Sequence, residues 1–331
     1  MTVRIIFMGT PEFAVPTLEA LIKSEYELAA VVTQPDRPSG RGRKLTPSPV
    51  KVAATEAGID VLQPETLKAP EAVAQLATFR PDLIVVAAFG QILRPEVLEL
   101  PRHGCLNIHA SLLPRWRGAA PVAAAIHAGD AETGVTLMLM EAGLDTGPII
   151  AQRAVLIRPT HTRDVLMAEL AELGAALLIE TLPAWLTGQI RARPQDERLA
   201  TLAPRLTKEA GLIDWHKTAL AIDRQVRAFY PWPGTFTEGR RGQFKILAVE
   251  VASGIPLPEQ ADPGVLFKHN RRVYVVTGQG ALRLVTVQPA GKKEMPAEAM
   301  LNGQPELLGA KLGSHKSQIP NLKSQIPNLK S

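Results

Sequence analysis

Gly104-Cys105-Leu106-Asn107-Ile108-His109-Ala110-Ser111-Leu112-Leu113-Pro114-Arg115-Trp116-Arg117-Gly118 opens as an extended segment and closes as a turn. Leu106 and Ile108 alternate with Asn107 and His109. Side chains two apart on a strand share a face, roughly 7 Å from one another. Asn107 and His109 therefore point the same way from a strand whose other face is apolar. An amide beside a titratable imidazole can polarise a carbonyl and manage a proton. A hydrogen-bonded core pair would have the same spacing.

Around this segment, short Val/Ile/Leu-rich runs alternate with helical patterns. Val3–Met8, Leu28–Thr33, Ile59–Leu62, Leu83–Ala88 and Cys105–His109 read as strands. Phe13–Lys23, Pro49–Ala57, Glu71–Phe79, Glu96–Leu100 and Pro121–His127 read as helices. Val135–Met140 and Ile149–Leu156 read as further strands, and Asp164–Leu186 as a long helix. Such alternation predicts an α/β fold with a mostly parallel, Rossmann-like sheet covered on both faces. Ligands of open sheets sit beyond the carboxyl ends of the strands, where Asn107 and His109 fall. The turn Gly9-Thr10-Pro11-Glu12-Phe13 has one glycine where a dinucleotide fingerprint needs three, which argues against NAD.

Residues 190–206, with Arg191, Arg193, Pro194, Gln195 and Pro204, have the composition of a linker. Beyond it, Lys217–Phe229 reads as a helix with Ala219, Ile222, Val226 and Phe229 on one face. Tyr230-Pro231-Trp232-Pro233-Gly234 reads as a rigid turn. Strands are expected around Phe236 and at Phe244–Val251, Gly264–Phe267, Arg272–Thr277 and Ala281–Val287. Five strands in this length suit a small β-barrel of the oligonucleotide-binding (OB) type. The expected division is 1–189, a linker 190–206, a β domain 207–312 and a tail 313–331. The tail carries Ser317–Lys323 repeated as 324–330; two such copies do not make a solenoid, and the segment is expected to be disordered.

The 331 residues carry a net charge of +5. Residues 1–200 hold 19 Lys/Arg against 22 Asp/Glu, and residues 201–331 hold 18 against 10. A basic back half suits a polyanion partner, or a merely soluble basic domain. No apolar run approaches the roughly 20 residues of a membrane span, and the N-terminus has no signal-peptide layout. The single cysteine, Cys105, excludes an internal disulfide and fits the cytoplasm; on an apolar strand it reads as a small buried hydrophobe rather than a nucleophile.

Two further stretches carry chemistry. Glu141-Ala142-Gly143-Leu144-Asp145-Thr146-Gly147-Pro148 follows the strand Val135–Met140. Asp145 is a turn aspartate, unless that strand neighbours Cys105–His109. In that case its carboxylate reaches His109, favours the charged imidazole and orders a proton-carrying water. The loop Gln34–Pro49 is long, Gly/Pro-punctuated and basic. Arg41, Arg43 and Lys44 suit phosphates, or a solvated charge run. His103, His109 and His127 share no ligand spacing, so no metal is expected.

Together these stretches resemble the methionyl-tRNA formyltransferases. The likeness rests on IIFMGTPEFA (5–14), TQPDRPSGRGRKLTPSPVK (33–51), GCLNIHASLLPRWRGAAP (104–121), GVTLMLMEAGLDTGPI (134–149), YPWPG (230–234) and TVQPAGKKEM (286–295). It is colinear over about residues 3–310. The segment 104–121 alone marks the wider folate-dependent formyltransferases; the basic loop and the back half narrow it to the tRNA branch. The resemblance implies a formyltransferase fold in front and an open barrel behind. It implies formyl transfer from 10-formyltetrahydrofolate to the amino group of methionine on initiator tRNA. Carried over, Asn107, His109 and Asp145 are the catalytic trio. Ser111, Leu112, Leu113 and Pro114 are the folate-contacting segment. Arg41, with Arg43 and Lys44, contacts tRNA. No metal, membrane or obligatory protein partner is implied. A formyltransferase for a small amine, an RNA-binding protein with an inactive enzyme domain, and a nicotinamide-dependent oxidoreductase are the competing readings.

Overall fold

The computed structural model of the chain describes residues 2–39, 44–259 and 262–313. Arg41, Arg43 and the repeated tail segment lie outside the described residues. The chain divides into two units, 1–206 with 227–231, and 207–226 with 232–331.

The first unit opens with β1 (Arg4–Gly9), α1 (Val15–Ile22) and β2 (Glu27–Val32). A short hairpin follows, β3 (Arg37–Ser39) and β4 (Lys44–Thr46), where the sequence suggests only a loop. Next come α2 (Pro49–Glu56), β5 (Val61–Leu62), α3 (Pro70–Thr78), β6 (Leu83–Ala87) and α4 (Pro95–Leu98). The unit continues through β7 (Cys105–His109), β8 (Arg117–Gly118), α5 (Pro121–Ala128), β9 (Glu132–Leu139), β10 (Ile149–Leu156) and α6 (Arg163–Leu186). It ends with β11 (Leu202–Ala203). Proline explains several helix starts: Pro16, Pro49, Pro70, Pro95 and Pro121 occupy the first two positions of α1 to α5. There the missing N–H loses no helical bond and the fixed φ suits the first turn.

The main sheet has the order β10-β9-β7-β6-β1-β2-β5. Five strands run parallel; β9 and β10 add an antiparallel edge beside β7. Ile5 to Met8 of β1 and Leu83 to Val85 of β6 are fully buried, as strands covered on both faces must be. Order reverses on the two sides of β1, the position at which such sheets open a crevice. Helix α6 packs closely on β7: a Cβ on Gly174 would stand 2.7 Å from Ile108 Cγ2.

Residues 190–206 are not a bare linker. Ile149 and Arg193 exchange two 2.8 Å backbone bonds, and β11 pairs in parallel with β8. The segment is therefore folded onto the first unit, a contact that polar, Pro-containing composition does not reveal.

The second unit contains all but the last three residues of α7 (Ala219–Phe229), and the strands β12 (Thr235–Gly239), β13 (Gly242–Ala252), β14 (Leu266–His269), β15 (Arg272–Val276), β16 (Ala281–Pro289) and β17 (Met295–Pro296). Helix α8 (Ala297–Gly303) follows and was not expected from sequence. The sheet is antiparallel, in the order β12-β13-β16-β15-β14, with β17 on β16. No ladder joins β12 to β14 among the described residues, so the barrel is open. Trp215, Ile222, Val226, Ile246, Val275, Leu284 and Leu301 form its core.

Candidate active site

Strand β7 delivers Asn107 and His109 to a cavity of about 560 Å³ beyond the carboxyl ends of β6 and β7. Phe13, Val86, Phe89, Asp145 and Arg163 also line it. This size is ordinary for a small-molecule site, which spans roughly 300–1,000 Å³. Asp145 reaches the cavity on the loop between β9 and β10. Strand β9 runs antiparallel to β7, with His109 opposite Thr136 and Leu106 opposite Leu139. The turn that carries Asp145 therefore leaves β9 beside the start of β7, where Met140 N–H donates to the Cys105 carbonyl at 2.8 Å, and folds back to bring Asp145 Oδ2 within 3.7 Å of His109 Nδ1.

His109 is almost buried, and its Nε2–H donates to the Trp116 carbonyl at 2.9 Å. That bond fixes the ring and leaves Nδ1 facing Asp145 Oδ2 at 3.7 Å. At this distance the pair makes no direct hydrogen bond. The same Oδ2 accepts the Gly118 N–H at 2.8 Å. One short backbone segment, 116–118, thus holds both side chains. Gly118 has φ +116°, and a Cβ there would meet the Ala203 carbonyl oxygen at 2.7 Å, so glycine is required. Trp116, Asp145 and the cavity residue Ala88 are non-glycines with φ of +64°, +51° and +47°. Strained backbone of this kind persists where surrounding structure over-determines it, often at functional sites. The Asn107 carboxamide has no hydrogen-bond partner among the described residues and remains available to a ligand in the cavity.

The four residues expected to contact folate are not on this cavity. Ser111 is fully buried, and its Oγ–H donates to the Arg115 carbonyl at 2.6 Å. Thr136 Oγ1 donates to the Ser111 carbonyl at 2.6 Å and accepts the Leu113 N–H at 3.0 Å. Leu113 packs with Met138 and Ile149, and its peptide to Pro114 is cis. Leu112 faces a separate recess beside Arg115, Trp116 and Asp130. Ser111 to Pro114 thus form a tightly bonded turn that follows directly on His109. The cavity walls come instead from Ala88 to Gln91 and from Arg163 and Met167 of α6, none of them singled out in the sequence. Arg163 Nε is buried without a hydrogen-bond partner among the described residues.

Cys105 is buried, and desolvation pushes its thiol up to about 12. A thiol so held is neither nucleophile nor metal ligand at neutral pH. Lys44, on β4, is exposed. The base of its hairpin is tied beside the cavity: Gln34 Nε2 donates to the carbonyl of the cavity residue Phe89 at 3.2 Å. Asp36 accepts from Lys51 Nζ at 2.7 Å and Gln63 Nε2 at 2.8 Å, contacts that hold its carboxyl below the usual range.

An unpartnered amide, an imidazole with one committed nitrogen and a carboxylate fixed by backbone can stabilise a developing oxyanion and move a proton. That is the equipment of acyl transfer to an amine.

Family comparison agrees with the chemistry. Residues 2–182 match the family described as formyl transferase, and residues 205–305 match the formyl transferase C-terminal domain. The methionyl-tRNA formyltransferase of Roseiflexus castenholzii is 50% identical over 314 residues, covering 95% of this chain and 100% of that protein. That of Methylococcus capsulatus is 49% identical over 311 residues, covering 94% and 100%. Among solved structures, an N-formyltransferase from Helicobacter canadensis, complexed with folinic acid and dTDP-3-aminofucose, superposes with a TM-score of 0.62. It shares 18% identity, over 89% of this chain and 100% of that one. HypX from Aquifex aeolicus with tetrahydrofolic acid gives 0.60 at 20% identity, over 91% and 47%. At such identities the two structures show the fold alone. The chain is thus a formyltransferase in both halves. It belongs to the methionyl-tRNA formyltransferase family.

Proposed function

We propose that Asn107, His109 and Asp145 are the groups with which this chain transfers the formyl group of 10-formyltetrahydrofolate to the α-amino group of methionine on initiator Met-tRNA. The observation that carries this reading is the convergence of the free Asn107 amide, His109 Nδ1 and the Asp145 carboxylate on one cavity, with 3.7 Å between the last two.

The attacking amine must be neutral, and an α-amino group titrates at about 8. As its nitrogen bonds to the formyl carbon, the carbonyl electrons move to oxygen. The Asn107 amide donates to that oxygen, and a protonated His109 donates through Nδ1, because Nε2 is held by the Trp116 carbonyl. Asp145, directly or through water, takes the proton that the attacking nitrogen must lose and relays it to the folate nitrogen as its bond to the formyl carbon breaks. Formylmethionyl-tRNA and tetrahydrofolate leave. The apolar walls Phe13, Val86 and Phe89 suit the flat ring of the formyl donor, a substrate here.

Arg41, Arg43 and Lys44 contact the backbone of the tRNA; of these Lys44 lies on β4, close in sequence to Gln34, which is tied to the cavity residue Phe89. The basic surface of the second unit contributes further phosphate contacts. We place the protein in the cytoplasm, where its tRNA substrate is; no helix among the described residues is long and apolar enough to cross a membrane.

The test is formyl transfer to initiator Met-tRNA, elongator Met-tRNA and small free amines. Preference for the initiator is expected, together with loss of turnover in Asp145→Asn. Equal use of a small amine would replace the tRNA reading with a small-amine formyltransferase.

A further inference from the structure

The side chain of Gln195 reaches the turn that carries Asp145 from 50 residues further along the chain. Its Nε2 donates to the carbonyl of Asp145 at 2.8 Å and to that of Gly147 at 2.7 Å. Its Oε1 accepts from Arg117 Nε at 3.0 Å and Nη2 at 2.7 Å. A guanidinium only donates, so the amide oxygen must face Arg117 and the NH2 must face the two carbonyls. Every hydrogen-bonding direction of the amide is thereby assigned without ambiguity.

Arg117 is itself buried, with a side chain 5% exposed. Glu197 balances its charge through two bonds, 2.8 Å to Nη1 and 2.7 Å to Nη2. The peptides on either side of Arg117 hold the other two groups of the site. Trp116 C=O fixes His109, and Gly118 N–H fixes Asp145. The strand β8 is in turn fixed by 201–203: Thr201 Oγ1 accepts from Trp116 N–H at 2.9 Å, and Thr201 C=O accepts from Arg117 N–H at 2.9 Å.

We infer that Gln195 is a positioning residue for Asp145, and that the segment 193–203 is a strap that sets the distance between Asp145 and His109. The inference rests on the proposed role of Asp145. Asp145 occupies a left-handed backbone conformation, φ +51°, which Asp tolerates better than most non-glycine residues but still at a cost that surrounding contacts offset. Pinning the carbonyls at both ends of 145–147 holds its Cα, and so keeps Oδ2 between the Gly118 amide and His109 Nδ1. Without that hold the turn relaxes and the carboxylate drifts while the substrate-binding walls stay in place.

The experiment is a double-mutant cycle in the full chain, with 10-formyltetrahydrofolate and initiator Met-tRNA, read as kcat and KM for each substrate under multiple and single turnover. Gln195→Met should lower kcat about 10- to 100-fold, the range for a group that orients a functional side chain, with both KM values unchanged. In an Asp145→Asn background it should lower the residual rate no further, since it acts through that carboxylate. Parent-like kcat in Gln195→Met overturns the inference. So does a loss expressed in KM, or an equal loss in both backgrounds, which is the signature of general damage to the fold. Gln195→Glu keeps the bond to Arg117 but removes the donors, and serves in the same cycle if the Met variant does not fold. Asp145→Asn separates the two readings. If it retains parent kcat, the catalytic role of Asp145 fails and this inference with it. If it is inactive while both Gln195 variants are unimpaired, only the strap fails.

Discussion

The first unit buries polar side chains where its function lies, whereas the second unit buries mostly apolar ones and leaves its charge outside. His109, which lines the cavity, is buried, and so are Ser111, Arg117 and Thr136, which bond to the segments next to it. In the second unit the core is Trp215, Ile222, Leu282, Leu284 and their neighbours, while Lys268, Arg271, Arg272, Lys292 and Lys293 are exposed. Catalysis needs donors within tenths of an ångström of a reacting atom, so the surrounding fold must fix each one. A phosphate-binding surface needs summed charge near a backbone, which tolerates mobile side chains. One unit is therefore sensitive to position and the other to core packing and net charge.

The sharpest test of this contrast is Asp145→Asn. Turnover should fall about 10²- to 10⁴-fold, the range for a positioned proton carrier, with the melting temperature nearly unchanged. Activity near the parent's would leave the first unit without its special character. Asn107→Ala removes one oxyanion donor and should lower kcat about 10²- to 10³-fold, with binding of the formyl donor retained in a titration. In the second unit, Leu284→Ala empties a fully buried position in β16. It should cost about 2–5 kcal/mol locally, read as faster amide exchange in β15 and β16. Amides of β6 and β7 should be protected as before; equal loss in both sheets would dissolve the distinction between the units. Lys44→Ala should leave kcat unchanged, weaken tRNA binding slightly and reduce the slope of log affinity against log salt by about one. The smallest effect concerns Cys105. With its thiol pushed up to about 12, alkylating reagents at pH 8 should leave the folded protein unmodified, and reaction should appear only on unfolding.

Legibility followed the same division. The strands β7 and β10 fall where alternation and branched residues place them, Cys105–His109 and Ile149–Leu156. Asn107 and His109 were legible because period two puts them on one face. Asp145 was legible only on the condition that β9 lies beside β7, which the pairing satisfies. The turn Ser111 to Pro114 is held by Thr136 and by its own Ser111–Arg115 bond; in sequence a Leu-Leu-Pro turn reads the same whether it lines a cavity or packs beside one. Gln195 gave no signal at all. It sits among residues of linker composition, and its partners Arg117, Asp145 and Gly147 lie far away in sequence.

Local chemistry along the chain settled the alternation of strands and helices, the helix starts at proline, the paired amide and imidazole, and the excess of positive charge in the back half. Each depends on neighbours within a few residues, where geometry is set by backbone sterics and side-chain period. Folding alone decided which nitrogen of His109 is free, how far it lies from Asp145, and that a presumed linker clamps the turn between them. Those depend on contacts closed across tens of residues, and no local period encodes the partner at the other end.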